Sequence, residues 1–229
     1  MAGIKRSSVC IVIPAYNEEK NIGRVVTAAG RKGFRVLVVD DGSSDRTAVL
    51  ARSAGAEVLV SPVNQGKGLA IRRGLEWFLG KDFEVLILMD ADGQHNPDEL
   101  DLFLEAFGEE SYDGVVGNRM DNPRRMPWVR RLTNHVMSWT LSVLAGQKIP
   151  DSQCGYRAFR RKVVESLSLR TARFEIESEM LLQASRANFR IGSVPVSSVY
   201  CRMGKSEIHV WKDTLRFVGF IVSYFFSRK

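Results

Sequence analysis

Three cysteines, three histidines and the lack of any apolar run of membrane length set the first limits on this 229-residue sequence. Cys10, Cys154 and Cys201 lie far apart and form no CxxC pair. That argues against a zinc ribbon or a disulfide scaffold and suits a reducing compartment. The longest apolar stretch, residues 217–226, is about half of the ~20 residues a spanning helix needs, and Gly219 and Ser223 interrupt it. The first residues carry Lys5 and Arg6 but reach Pro14 without a small-residue cleavage site, so they do not read as a secretory leader. No GxGxxG follows the first apolar run, which disfavours a Rossmann dehydrogenase, and no GxxxxGK[ST] marks a P-loop. His95, His135 and His209 are scattered and read as surface residues, so no Ser-His-Asp set assembles. Internal repeats and low-complexity linkers are missing too.

What is present is ordinary globular material. Hydrophobic residues make up 45% and charged residues 26%, which excludes a disordered or collagen-like chain. At this length roughly 70–75% of the unfolded surface can be buried, so the core needs no staples. The net charge of +7 hides an asymmetry. Residues 1–114 hold 13 Lys/Arg against 18 Asp/Glu, while residues 115–229 hold 20 against 8, balances of −5 and +12. A basic half suits an anionic partner: a phosphorylated substrate, an anionic membrane or nucleic acid. A solvated basic surface is the plain alternative.

Short β-branched runs at 9–13, 35–40, 56–60, 85–89 and 114–117 read as strands, mostly apolar throughout, as expected of strands buried on both faces. Between them Ile22, Val25, Val26 and Ala29 follow helical spacing, as do residues 48–51 beyond an N-cap at Ser44 or Asp45. Residues 68–79 and 97–107 are two further helices, the second with proline in its first turn. This alternation means βαβ units and a mainly parallel sheet in an α/β fold. The pattern loosens after residue 118. The expected organisation is one domain over 1–229: a first part to 118, a second over 119–209 and an amphipathic helix over 210–229.

Ligands of such a sheet bind beyond the carboxyl ends of its strands. Three acidic segments fall there: Pro14-Ala-Tyr-Asn-Glu-Glu19, Asp40-Asp-Gly-Ser-Ser-Asp45 and Asp90-Ala-Asp-Gly-Gln94. Residues two apart in extended chain point the same way, so Asp90 and Asp92 can face one ion. Two hard oxygen donors with open positions suit Mg²⁺ or Mn²⁺, which take their remaining ligands from water and a diphosphate. Helix capping is the ordinary alternative for aspartates at a strand–helix junction. Asn64-Gln-Gly-Lys-Gly68 is glycine-rich and opens a helix, where an anion can sit.

Taken together, Val12-Ile-Pro-Ala-Tyr-Asn-Glu18, Val38-Val-Asp-Asp-Gly-Ser-Ser-Asp-Arg-Thr47, Asn64-Gln-Gly-Lys-Gly68 and Met89-Asp-Ala-Asp-Gly-Gln-His95 resemble family 2 glycosyltransferases. Within that family the match is to the polyprenyl- and dolichyl-phosphate mannose synthases and their glucosyl relatives. The resemblance implies an A-type glycosyltransferase fold, an αβα sandwich around a mainly parallel sheet. It assigns Pro14, Tyr16, Glu18, Val39, Asp41, Lys67, Asp90, Ala91 and Asp92 to the sugar nucleotide, and Asp90, Asp92 and Gln94 to the metal. Arg119, in Gly117-Asn-Arg119, and Arg130, in Pro127-Trp-Val-Arg-Arg-Leu132, take phosphate-binding positions, with Arg131 as a neighbour. Catalysis then falls to Asp92, Arg119 and Arg130. Asp151-Ser-Gln-Cys-Gly-Tyr156 resembles the family's segment before a strand. The family's Gly-x-Ser-Lys is replaced by Arg202-Met-Gly-Lys-Ser-Glu207, which shifts that phosphate contact to Arg202 and Lys205.

The reaction so implied moves a sugar, mannose from GDP-mannose or glucose from UDP-glucose, onto a polyprenyl or dolichyl phosphate with inversion. A phosphate monoester ionises near pH ~6, so such a nucleophile needs no protein base. A family member acting on a glycan hydroxyl would need one, and Glu177 or Glu179 are the candidates; the default for Glu175, Glu177 and Glu179 is a solvated face. A nucleotidyltransferase usually carries a Gly-rich, Arg-containing loop where this chain has residues 14–19. A nucleic-acid-binding module leaves three acidic loops unexplained, so no nucleic-acid partner is expected. Trp211, Leu215, Val218, Val222 and Phe225 form one helical stripe, and residues 128–144 combine Arg130 and Arg131 with Trp139, Leu141 and Leu144. Both suit helices lying on a membrane, which places the protein at the cytoplasmic face as a peripheral enzyme.

Overall fold

The computed structural model describes residues 4–109, 112–121, 126–173 and 175–197, together with positions 219 and 221. The described residues form one seven-stranded sheet of order β3-β2-β1-β4-β6-β5-β7. The strands are β1 (Val9–Ala15), β2 (Arg35–Asp40), β3 (Glu57–Val60), β4 (Val85–Leu88), β5 (Gly114–Asn118), β6 (Arg157–Arg160) and β7 (Ile191–Pro195). Ladders β3-β2, β2-β1, β1-β4 and β5-β7 are parallel, and β6 runs against both β4 and β5. The sheet is therefore mixed and mostly parallel. The one reversal lies in the second half, where the sequence pattern loosens.

Every residue of β1 is buried, as are those of β4 and β5, which accounts for their unbroken apolar or small-residue runs. Helices α1 (Ile22–Arg31), α2 (Thr47–Ser53), α3 (Lys67–Leu79) and α4 (Leu100–Glu109) follow the first four strands. A 3₁₀ turn, Pro97–Glu99, precedes α4, so the expected proline sits in that turn and the α-helix proper starts three residues later. The cap of α2 also differs from expectation: Arg46 is the N-cap residue, and Asp45 instead accepts from Thr47 N at 2.9 Å. Then come α5 (Trp128–Ala145), α6 (Arg161–Ser166) and α7 (Glu175–Arg186). Among the described residues no helix is long and apolar enough to cross a membrane.

The chain runs outward from β1 to β2 and β3, then returns to place β4 on the other flank of β1. This reversal opens a crevice at the carboxyl ends of β1 and β4, the standard ligand position of an open α/β sheet. Backbone bonds extend the ladder beyond the strands: Asp41 N to Ala15 O at 2.9 Å, Ser61 N to Asp40 O at 2.8 Å and Met89 N to Val12 O at 3.2 Å. Tyr16, Asp41 and Asp90 are thereby set side by side at the rim.

Close approach explains Gly68. A Cβ there would lie 2.4 Å from the Ala172 carbonyl carbon and 2.6 Å from Arg173 N, so α3 and the 171–173 loop meet backbone to backbone. Gly30, in α1, has nothing within 4 Å of its would-be Cβ. We therefore expect Gly68→Ala to destabilise by about 1–3 kcal/mol through overpacking. Gly30→Ala should be neutral or stabilise by roughly 0.5–1 kcal/mol through helix propensity. Paired urea denaturations give both signs, and equal effects at the two sites would remove the close-approach account.

Candidate active site

The first two rim loops interlock through hydrogen bonds. Asn17 takes a positive φ of 54°, and its side chain accepts from Ser44 N at 2.9 Å while its own N–H donates to Ser43 Oγ at 2.9 Å. Glu18 N donates to Thr47 Oγ1 at 2.8 Å and Glu19 N to Asp45 Oδ2 at 3.1 Å. The third loop is tied in by Asp41, a buried carboxylate that accepts from Gln65 N at 3.0 Å and Gly66 N at 2.7 Å. Asp41 thus shapes the Asn64–Gly68 loop. Pro14, Val39 and Ala91 are buried beneath the rim, and Tyr16 stands above it, 44% exposed.

The acidic loops do converge. The carboxyl of Glu18 is pushed above its ordinary value, first by burial and then by the charges of Asp92, Asp45 and Asp90, against a hydrogen bond from Asn21. Asp92 is raised too, by burial and by Asp90. Asp90 behaves in the opposite way: burial alone would raise it, but Lys67 and His95 outweigh that and hold it well below the carboxylate range.

Three contacts hold Asp90. Lys67 Nζ lies 2.6 Å from Oδ1, His95 Nε2 lies 3.2 Å from Oδ2, and the Gly155 backbone is so close that a Cβ there would sit 2.4 Å from Oδ2. His95 is 5% exposed, its ring 4.9 Å from that of Tyr156, and its Nδ1 has no hydrogen-bond partner among the described residues. That corrects its reading as a surface histidine. No periodic signal marked it, because His95 lies in the loop after β4, outside any helix or strand. His135 is exposed as expected.

Glu177 and Glu179 also depart from expectation, since both are buried rather than solvated. Glu177 pairs with Lys67 Nζ at 2.7 Å and with the fully buried Arg157 at 3.4 Å. Arg157 also donates to Cys154 O and Ser152 O, each at 2.7 Å, and to Glu177 O. Glu179 accepts from Arg170 N at 3.0 Å, Thr171 N at 2.9 Å and Thr171 Oγ1 at 2.7 Å, so it holds the loop before α7.

Arg119 forms a fork with Asp151, Nε to Oδ2 at 2.8 Å and Nη2 to Oδ1 at 2.9 Å, and Asp151 has no exposure at all. Ser152 N donates to Ser138 Oγ at 2.9 Å, which fastens α5 to the same segment. Residues 151–157 therefore connect Arg119, Asp90, Glu177 and α5. Arg130 and Arg131 lie in the first turn of α5. Arg202 and Lys205 fall outside the described residues, as does most of the stripe from Trp211 to Phe225.

The residues at Asp90 and Asp92 fit a hard divalent ion. Among the described residues Asp92 Oδ1 accepts the Gln94 N–H alone, at 2.9 Å, and the local crowding of carboxylates calls for added positive charge. Among the described residues no group of three His, Cys, Asp or Glu could cage a metal.

The sequence and the fold are similar to those of known proteins. The family model described as Glycosyl transferase family 2 matches residues 10–168. The chain is 30% identical to the UDP-N-acetylglucosamine–dolichyl-phosphate N-acetylglucosaminyltransferase of Methanococcus voltae, covering 94% of this chain and 93% of that one. It is 31% identical to the polyprenol monophosphomannose synthase of Mycolicibacterium smegmatis, over 86% and 80% of the two chains. The fold matches that of glucosyl-3-phosphoglycerate synthase from Mycobacterium tuberculosis, solved with Mn²⁺, UDP and phosphoglyceric acid. That match has a TM-score of 0.74 at 18% identity and covers 97% of this chain and 83% of that one.

The crowding at Glu18 has a measurable sign. A carboxyl whose folded pKa exceeds its unfolded value adds no penalty below the unfolded value, near pH ~4.3, and destabilises progressively as pH rises through the folded value. Glu18→Gln, which can still accept from Asn21, should therefore melt above the wild type at pH 7. The gap should close toward pH 4. A pH series of melting temperatures on ligand-free protein checks this, and a gap independent of pH would remove the electrostatic explanation.

Proposed function

The chain belongs to glycosyl transferase family 2 and has the A-type glycosyltransferase fold, and from that premise we propose that it transfers a hexose from a nucleoside diphosphate to a polyprenyl or dolichyl phosphate, inverting the anomeric carbon. The observation that carries this reading is the commitment of the two carboxylates a hydroxyl acceptor would need. Glu177 is held by Lys67 and Arg157, and Glu179 by backbone N–H groups, so neither is placed to take a proton. An acceptor phosphate, already ionised at neutral pH, needs no such base. Relatives named for dolichyl-phosphate and polyprenol substrates, aligned over most of both chains, support the same acceptor class.

In this reading Tyr16, Glu18 and Asp41 line the nucleotide pocket above Pro14 and Val39, and Lys67 and Ala91 lie beside the diphosphate. Asp90, Asp92 and Gln94 would hold Mg²⁺ or Mn²⁺, which supplies charge neutralisation for the departing diphosphate when bound. Arg119 and Arg130, aided by Arg131, Arg202 and Lys205, orient the acceptor phosphate and offset the repulsion between two anions. Asp151 fixes the plane of the Arg119 fork, a geometry a lysine cannot reproduce. GDP-mannose is the preferred donor, with UDP-glucose as the alternative.

A lipid acceptor presents its phosphate at headgroup level, and α5 has the surface to meet it. Trp128, Leu132, Val136, Trp139 and Val143 advance by four, four, three and four residues, and all are exposed, Trp128 by 76% and Trp139 by 68%. Leu141, grouped with the membrane face from sequence, is buried on the other side with Met137. The exposed stripe, with Arg131 beside it and the +12 balance of the second half, suits a helix resting at the cytoplasmic membrane surface.

Radiolabelled sugar nucleotides incubated with the protein and lipid extract should place label in the organic phase. Asp92→Asn should lower that transfer roughly 10²-fold or more. Label appearing only on a water-soluble acceptor, or full transfer in excess chelator, would reject the reading. For the surface, Trp128→Ser with Trp139→Ser should reduce pelleting with anionic liposomes without lowering the melting temperature. Pelleting of the wild type should weaken with salt, since each basic residue near the surface contributes about 1 kcal/mol.

A further inference from the structure

One cation lies inside the acidic rim. The ammonium of Lys67 sits between Asp90 Oδ1 and Glu177 Oε1, 2.6 and 2.7 Å away, with 19% of its side chain exposed. Its position is set at both ends of the side chain. Its backbone opens α3 after a loop whose N–H groups are held by Asp41, and the helix start is pressed against Ala172. The second oxygen of each carboxylate is also engaged, Asp90 Oδ2 by His95 and Glu177 Oε2 by Arg157. Asp92, two residues from Asp90, accepts the Gln94 N–H at Oδ1.

We propose that Lys67 is the resident cation of the donor site, neutralising Asp90 until a divalent ion arrives and then passing to Glu177, so that ion binding depends on the diphosphate. The inference rests on the donor-site reading of Asp90 and Asp92 given above. A buried carboxylate requires a partner charge, and in the ligand-free protein Lys67 supplies it. A divalent ion shared by Asp90 and Asp92 adds two positive charges beside that ammonium. The repulsion is large in a site shielded from water, so the bare ion is resisted. A diphosphate brings compensating negative charge, and Glu177, already in contact, keeps the ammonium inside the site when Asp90 turns to the ion. Lys67 thereby couples two ligands: the ion binds well when the nucleotide binds, and reciprocally. In the alternative, Lys67 is only a structural tie between Asp90 and α7, and its removal gives the bare ion no advantage.

Mn²⁺ titration of the full chain by electron paramagnetic resonance, with no sugar or acceptor present, separates these arrangements. Lys67→Met should bind Mn²⁺ alone about 10-fold or more tighter than wild type, and Lys67→Arg should behave like wild type. Unchanged or weaker binding by a folded Lys67→Met would overturn the proposal. Should that variant fail to fold, Glu177→Gln decides: with one anchor removed the ammonium concentrates on Asp90, and Mn²⁺ alone should bind about 5-fold more weakly. Equal or tighter binding by Glu177→Gln would overturn it as well. Asp92→Asn distinguishes the two levels of the argument. If it leaves Mn²⁺ affinity intact, the donor-site reading itself fails; if it abolishes binding while Lys67→Met matches wild type, only the role of Lys67 fails.

Discussion

Everything around the crevice depends on a line of alternating charges, Asp90, Lys67, Glu177 and Arg157, drawn from the loop after β4 and from α3, α7 and β6. A buried charge is tolerated only when paired, and breaking one link strands its neighbour. The four elements therefore have little freedom relative to one another. Arg157 is the deepest member, with no exposure, and its remaining donors hold the Ser152 and Cys154 carbonyls. The same line of charges thus joins the parallel half of the sheet to the half that contains its antiparallel strand.

The outer side of the crevice follows the opposite rule. Burial raises the carboxyls of Glu18 and Asp92, and neighbouring carboxylates add to it, Asp92, Asp45 and Asp90 at Glu18 and Asp90 at Asp92. Local stability is given up there, a common feature of sites that bind a cation or catalyse a reaction.

Helix α5 links this site to the surface. Its inner side, Met137, Ser138 and Leu141, packs down, and Ser138 is bonded to the segment that carries Asp151 and Gly155. Its outer side is an exposed apolar stripe. Contacts made on that stripe are thus one helix width from the residues that hold Arg119 and Asp90, a short route for coupling surface binding to the site.

The strands of the first half and the helices between them were legible in the sequence, because strands buried on both faces must be continuously apolar and the intervening helices carry their own periodicity. The rim position of the three acidic loops followed from the same pattern, since loops after parallel strands share one edge. Where elements deviated by one to three residues, as at Pro97 and Arg46, local turn geometry decided. What the sequence could not contain was partnership across distance. That His95 supports Asp90, that Glu177 and Glu179 are buried, and that Arg119 is forked onto Asp151 are facts of residues 5 to 32 positions apart meeting in space. Lys67 and Glu177, 110 positions apart, make the point most sharply. Periodicity reports which face of an element is apolar; which charge neutralises which is settled only when the sheet brings their carriers within 3 Å.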